Sequence, residues 1–141
     1  MEHTEIVFPV LALIGWTFVM WLWLYLTRIP AMRRARIDLV EVSRTGAPLD
    51  LPPKVTRVAD NYNHLHEQPT LFYALALSAL ALGAVDNLQV MLAWGYVGLR
   101  VVHSLIQATG NVIIVRFSVF MAASVVLLVL LLRTVWLALP G

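Results

Sequence analysis

Asp60-Asn61-Tyr62-Asn63-His64-Leu65-His66-Glu67-Gln68-Pro69-Thr70-Leu71-Phe72-Tyr73-Ala74-Leu75-Ala76-Leu77-Ser78-Ala79-Leu80-Ala81-Leu82 decides the fold. The run up to Gln68 is densely polar, and the residues beyond Pro69 read as a membrane span. Ionisable groups at the root of a membrane helix are costly, so they pair with something or act on something. The rest of the chain agrees with the span. It has 141 residues, 60% hydrophobic and 13% charged, with a mean hydropathy of +0.81. A soluble domain is nearer half apolar and about a quarter charged. An integral membrane protein is therefore expected, with residues 1–141 forming one domain. The absence of cysteine excludes disulfides, thiolate metal sites and a cysteine nucleophile. Any thiol chemistry must use a thiol carried by a ligand.

A span needs about 20 mostly apolar residues. Four segments qualify, at about 6–27, 58–83, 88–108 and 115–139. The first is not read as a cleaved signal, because Met1-Glu2-His3-Thr4-Glu5 lacks a basic start and the apolar run is too long. The polar loop 28–57 carries Arg28, Arg33, Arg34, Arg36, Arg44, Lys54 and Arg57, seven of the ten basic residues. The positive-inside rule places that loop in the cytoplasm and both termini on the far side. Gly83-Ala84-Val85-Asp86-Asn87 and Thr109-Gly110-Asn111 are short turns, with Gly110 suited to ending a helix. Gly46-Ala47-Pro48 and Pro52-Pro53 read as loop breakers. Short connections make consecutive helices antiparallel neighbours, so the expected fold is all-α, an up-down bundle of four transmembrane helices.

Ranking polar residues by depth, at about 1.5 Å per residue, relates the second span to the third. Asp60, His64 and Glu67 share one face of the second, and Arg100, His103 and Gln107 share one face of the third. Gln107 comes level with Asp60, His103 with His64, and Arg100 with Glu67. A Glu67–Arg100 ion pair is expected, because an unpaired Arg at that depth costs at least about 2.5 kcal/mol. His66 faces elsewhere. Arg116 opens the fourth span and is either a snorkelling anchor or an active group. Arg133 reads as an anchor near the opposite membrane surface. Phe117, Phe120, Leu127, Leu128 and Leu131 read as packing or lipid surface. Trp16, Trp21, Trp23 and Trp136 suit interfaces or lipid packing. Asp60, His64, Glu67 and His103 contain ligand types for zinc or iron, but hydrogen bonding is the favoured reading and no metal is assigned. Arg33-Arg34-Ala35-Arg36 suits contact with anionic headgroups. Nothing points to nucleic acid, and there is no glycine-rich phosphate loop.

Asn63-His64-Leu65-His66-Glu67-Gln68-Pro69-Thr70-Leu71-Phe72 resembles the second-helix signature of the MAPEG family, the membrane-associated proteins in eicosanoid and glutathione metabolism. That signature has an Arg, an Asn and a Glu at helical spacing, then Pro-Leu-Phe. Arg100-Val101-Val102-His103 resembles the family's third-helix Arg-x-x-His, and Arg116 falls where the family has an Arg opening its fourth helix. The likeness is greatest to the family's bacterial branch. It implies a homotrimer in a bacterial inner membrane, with glutathione as co-substrate bound between subunits toward the cytoplasm. It implies that Arg116 stabilises the glutathione thiolate, which then attacks or reduces a lipophilic electrophile in a transferase or peroxidase reaction. Glu67, Arg100, His103, His64, Asn63 and Gln107 are the implied glutathione-binding residues. Three positions depart from the pattern. Asp60 stands at the family's Arg, His64 at its Asn, and Gln107 at its third-helix Tyr. Asp60 reverses a charge where an anionic tripeptide would dock. The alternative expectation is a non-catalytic binding or structural subunit, alone or in a larger membrane complex, that keeps the fold with an altered site.

Overall fold

The computed structural model describes residues 2–46 and 51–140 and is helical throughout, with no strand among the described residues. A 3-10 turn, Glu2–Ile6, leads into α1 (Val7–Arg34). Then come α2 (Leu39–Thr45), α3 (Pro53–His64), α4 (Gln68–Ala81), α5 (Asn87–Ala108) and α6 (Ile113–Ala138). The first expected span is thus extended to Arg34, and the third and fourth agree with α5 and α6 to within two residues. The expected breaker Pro52-Pro53 caps and opens α3. Gly46 closes α2 at φ +69, while Ala47-Pro48 lies outside the described residues.

The second expected span is not one helix. It stops at His64, turns through Leu65–Glu67 and restarts at Gln68. Pro69 explains the break. In an unbroken helix its ring would collide with the carbonyl of Leu65, four residues earlier, and it has no N–H to give that carbonyl. As the second residue of α4, where N–H groups have no intrahelical partner, proline costs nothing. The Thr70 hydroxyl donates to the Glu67 carbonyl at 2.6 Å, tying the turn to α4.

α5 is the centre of the molecule. Gln89, Ala93, Tyr96, Val97, Arg100, His103, Ser104 and Ala108 are its buried residues. Their spacing of three and four marks one face of a helix. That side packs most extensively against α6 and also meets α1 and α3. Phe72 of α4 stacks on Tyr96, with ring centroids 4.7 Å apart. α6 buries only Ala123, Leu127, Leu130 and Thr134. Much of its remaining surface is apolar and exposed, including Ile114, Leu132 and Trp136. Such a surface calls for lipid or a partner rather than water. By length and composition, His3–Arg34 and Ile113–Ala138 are able to cross a bilayer.

At one end, the start of α5 is fastened to the end of α6. Asp86 caps α5, its carboxylate accepting from the Gln89 backbone N–H at 3.0 Å, while the Gln89 side chain accepts from the Asp86 N–H at 2.7 Å. The Gln89 amide donates to the Thr134 hydroxyl at 2.8 Å. Arg133, expected to be an anchor near the surface, instead grips Asp86 Oδ2 through Nε at 3.0 Å and Nη2 at 2.6 Å. Asp86 is not evident as a partner for Arg133 in the sequence because it lies in a turn, off the helix faces compared by depth.

Burial pushes the Asp86 carboxyl up, but the Gln89 N–H and the Arg133 guanidinium outweigh it and hold the group below its ordinary value of 3.8. A depressed carboxylate stabilises the fold above its unfolded pKa and loses that contribution as pH falls through the folded one. Asp86→Asn keeps one capping acceptor for the Gln89 N–H and removes the charge together with the oxygen that accepts from Arg133. It is expected to lower stability at pH 7 by about 1 kcal/mol or less, as for a partly exposed pair. The gap between wild type and variant should narrow in detergent melting curves as pH falls below 3.8 and close once it passes the lower folded-state pKa.

Candidate functional site

The turn that breaks the second span makes one wall of a cavity of about 660 Å³, within the range of small-molecule sites, roughly 300–1,000 Å³. α3 contributes Asp60, Asn63 and His64, and the turn contributes Glu67. His103 and Gln107 enter from α5, and Arg116 with Phe117 and Phe120 from α6. Six of the seven residues expected to form a site therefore share one cavity. Asp60, His64 and Glu67 were expected on one unbroken helix face. They still meet here, with Glu67 supplied by the turn instead.

Arg100, the seventh, is buried beneath this cavity and is not part of its lining. The expected Glu67–Arg100 ion pair is absent. Glu67 lies outside both helices, its side chain 67% exposed, and its Oε2 is 3.1 Å from His64 Nδ1. Depth ranking assumed a helix through Glu67. Once the chain turns at Leu65, the carboxylate swings toward solvent. All three guanidinium nitrogens of Arg100 are buried without a hydrogen-bond partner among the described residues. The Phe120 ring centre lies 6.0 Å from its Cζ. His103 Nδ1, Ser104 Oγ, Gln107 Oε1 and both amide atoms of Asn61 are similarly buried and unpartnered. Native structures leave few such groups, so a cluster of them marks a place built for something other than packing.

The two imidazoles come together, with ring centroids of His64 and His103 5.0 Å apart. Phe120 touches both, at 5.5 Å from His64 and 6.0 Å from His103. Phe117 and Phe120 were read as packing or lipid surface, yet both line the cavity. An apolar side chain carries no sign of this role in the sequence. Arg116 is half-buried and donates from Nη1 to Asn111 Oδ1 at 2.6 Å. Asn111 can reach it because this residue, rather than Gly110, takes the left-handed conformation after α5, at φ +51. One nitrogen of Arg116 is thus anchored, and its other N–H groups remain for a ligand.

His66 stays outside the cavity, as expected, with Nδ1 2.9 Å from the Tyr62 carbonyl. Arg57 is also outside and donates to the Thr109 carbonyl at 3.1 Å. Sequence reasoning missed Gln68. Its amide donates to Ser124 at 2.8 Å and accepts from the Tyr96 hydroxyl at 3.1 Å, holding the start of α4 to α5 and α6. Its place just before Pro69, at the helix restart, is the only signal that could have found it. Among the described residues, no three or more His, Asp or Glu side chains come together as a metal site would need.

A helical molecule with two long lipid-compatible surfaces and a polar cavity beside them defines a class, the helical membrane proteins with an internal polar site. Within that class the family is clear. The family model described as the MAPEG family matches residues 6–136, nearly the whole chain. This chain belongs to the MAPEG family, which includes glutathione-dependent enzymes. No curated protein and no solved structure gives a significant match.

Proposed function

We propose that this protein binds glutathione in the cavity between α3, α5 and α6 and activates its thiol at Arg116 for reaction with a lipophilic electrophile. The observation that carries this reading is that Arg116 shares one cavity with Asn63, His64, Glu67, His103 and Gln107. Glutathione offers a thiol, an ammonium and two carboxylates. Arg116 supplies a permanent positive charge for the thiolate. Asp60 and Glu67 supply negative charge for the ammonium. Asn63, His64, His103 and Gln107 supply hydrogen-bonding groups for the backbone amides and a carboxylate. A thiol has a pKa of about 8.5 and reacts as its thiolate, so a fixed guanidinium nearby is the chemistry required.

The assembly we propose is a homotrimer of four-span subunits in a bacterial inner membrane. α3 and α4 cross in tandem, α5 beside them, and the arginine-rich segment faces the cytoplasm. Ile113 and Phe117, which edge the cavity, are 69% and 60% exposed in the single chain. A neighbouring copy would close that edge and complete the site. Isothermal titration of the detergent-solubilised protein with glutathione and with S-methylglutathione tests the reading. Both are expected to bind, and the melting temperature should rise with each. Neither heat nor a melting shift at millimolar glutathione would overturn it.

A second reading rests on Asp60. Among the described residues the cavity lining has one arginine, Arg116, against two carboxylates, Asp60 and Glu67, a poor balance for a ligand of net negative charge. On this reading the protein is a non-catalytic binding or structural subunit in which the polar side chains hold helices together. Purification of a fixed hetero-complex from native membranes favours it, and turnover of an electrophile by the isolated protein excludes it.

A further inference from the structure

The last turn of α5 also borders a second large cavity, one that the glutathione reading does not use. It has a volume of about 960 Å³ and lies between the end of α1, the start of α3 and the last residues of α5. One part of its wall is apolar, formed by Trp23, Leu26, Pro30 and Ala108. Leu26, 66% exposed, joins this wall to the outer surface of α1, one of the two helices able to cross a bilayer. The other part is basic, formed by Arg34, Lys54 and Arg57. No acidic side chain lines the cavity among the described residues.

We propose that this cleft binds an anionic phospholipid, with its phosphodiester among Arg34, Lys54 and Arg57 and an acyl chain along the Trp23–Leu26 wall. Three arguments converge on that occupant. Three cations with no carboxylate beside them among the described residues repel one another and are relieved by an anion; a choline headgroup would add a further positive charge. Arg57 is held in place by its bond from Nη1 to the Thr109 carbonyl at 3.1 Å, so part of the guanidinium is already oriented for a phosphate. The apolar wall continues onto a lipid-compatible helix, which a free water-soluble anion has no use for. The start of α3 adds to the attraction. Among the described residues no side chain caps that helix; Pro53 has no N–H and the Val55 N–H goes to the Pro52 carbonyl at 2.9 Å, which leaves the Lys54 N–H at its positive end. Basic pockets between membrane helices hold lipid headgroups by these forces. The inference stands whether or not glutathione binds the other cavity.

Native mass spectrometry of the full chain in mild detergent tests it, using phosphatidylglycerol and phosphatidylcholine with the same acyl chains. We expect phosphatidylglycerol to survive activation that strips phosphatidylcholine. Arg34→Gln with Lys54→Gln should reduce its retention about tenfold, and Lys54→Gln alone to a lesser extent. Arg33→Gln with Arg36→Gln removes the same charge outside the cleft lining and should retain the lipid. Equal retention of the two lipids by the wild type overturns the proposal. So does undiminished retention in both cleft variants, or an equal loss in the Arg33/Arg36 control. Displacement of the lipid by millimolar inorganic phosphate would show a free-anion site and overturn it as well.

Discussion

Replacing Arg100 with methionine is expected to leave the protein as stable as the wild type or more stable, by up to about 1–4 kcal/mol. The guanidinium is fully buried, and none of its nitrogens has a hydrogen-bond partner among the described residues. Burying an uncompensated charge costs several kcal/mol, and well-packed apolar replacements of similar volume recover part of that. Methionine has nearly the reach of the arginine stem and fills irregular space. Arg100→Ala should behave differently, losing about 2–4 kcal/mol because it opens a cavity beneath Phe120. Detergent melting curves with and without glutathione read all three proteins. If Arg100→Met melts lower than the wild type by the 3–5 kcal/mol typical of a broken buried pair, Arg100 has a charged partner after all. A charge that lowers stability and yet remains is what a ligand site needs, since activity and stability commonly trade against each other.

Arg116→Gln carries the largest expected effect on chemistry. Removing one charged donor from a developing anion typically costs about 10²–10³ in rate. The loss should depend on pH in a defined direction. Arg116 favours the thiolate and so lowers the thiol pKa of bound glutathione. Without it the thiol returns toward about 8.5. The variant's rate with an activated aryl chloride should therefore climb about tenfold per pH unit up to that value, while the wild-type rate is already level. Ultraviolet absorbance of the bound thiolate should shift to higher pH in parallel. An Arg116→Gln protein with an unchanged rate and pH profile would return Arg116 to the role of a membrane anchor.

Parts of this molecule were legible in the sequence for physical reasons that can be named. α5 and α6 were bounded correctly because Asp86-Asn87 and Gly110-Asn111 interrupt long apolar runs with residues that cap or turn. The convergence of His64 and His103 followed from depth, a quantity that survives small errors in helix length. The Glu67–Arg100 pair failed because depth ranking holds only along an unbroken helix, and Pro69 had already broken this one. Phe120 was invisible because an apolar residue on an apolar helix looks the same whether it faces lipid or an imidazole. The Asp86–Arg133 clasp was missed because it joins a turn to a distant helix end.

The break at Leu65–Glu67 also bears on how the chain enters the bilayer during synthesis. α3 has 12 residues and α4 has 14, about 18 and 21 Å of helix. Neither alone reaches across the roughly 30 Å hydrocarbon layer. The backbone groups freed at the turn cannot face acyl chains. The insertion machinery would thus meet a segment that is too short and too polar to leave the translocation channel by itself. On the proposed four-span arrangement its release would await α5, which packs on α3, and α6, which packs on α5 and meets α4, so these segments would partition into lipid as a unit.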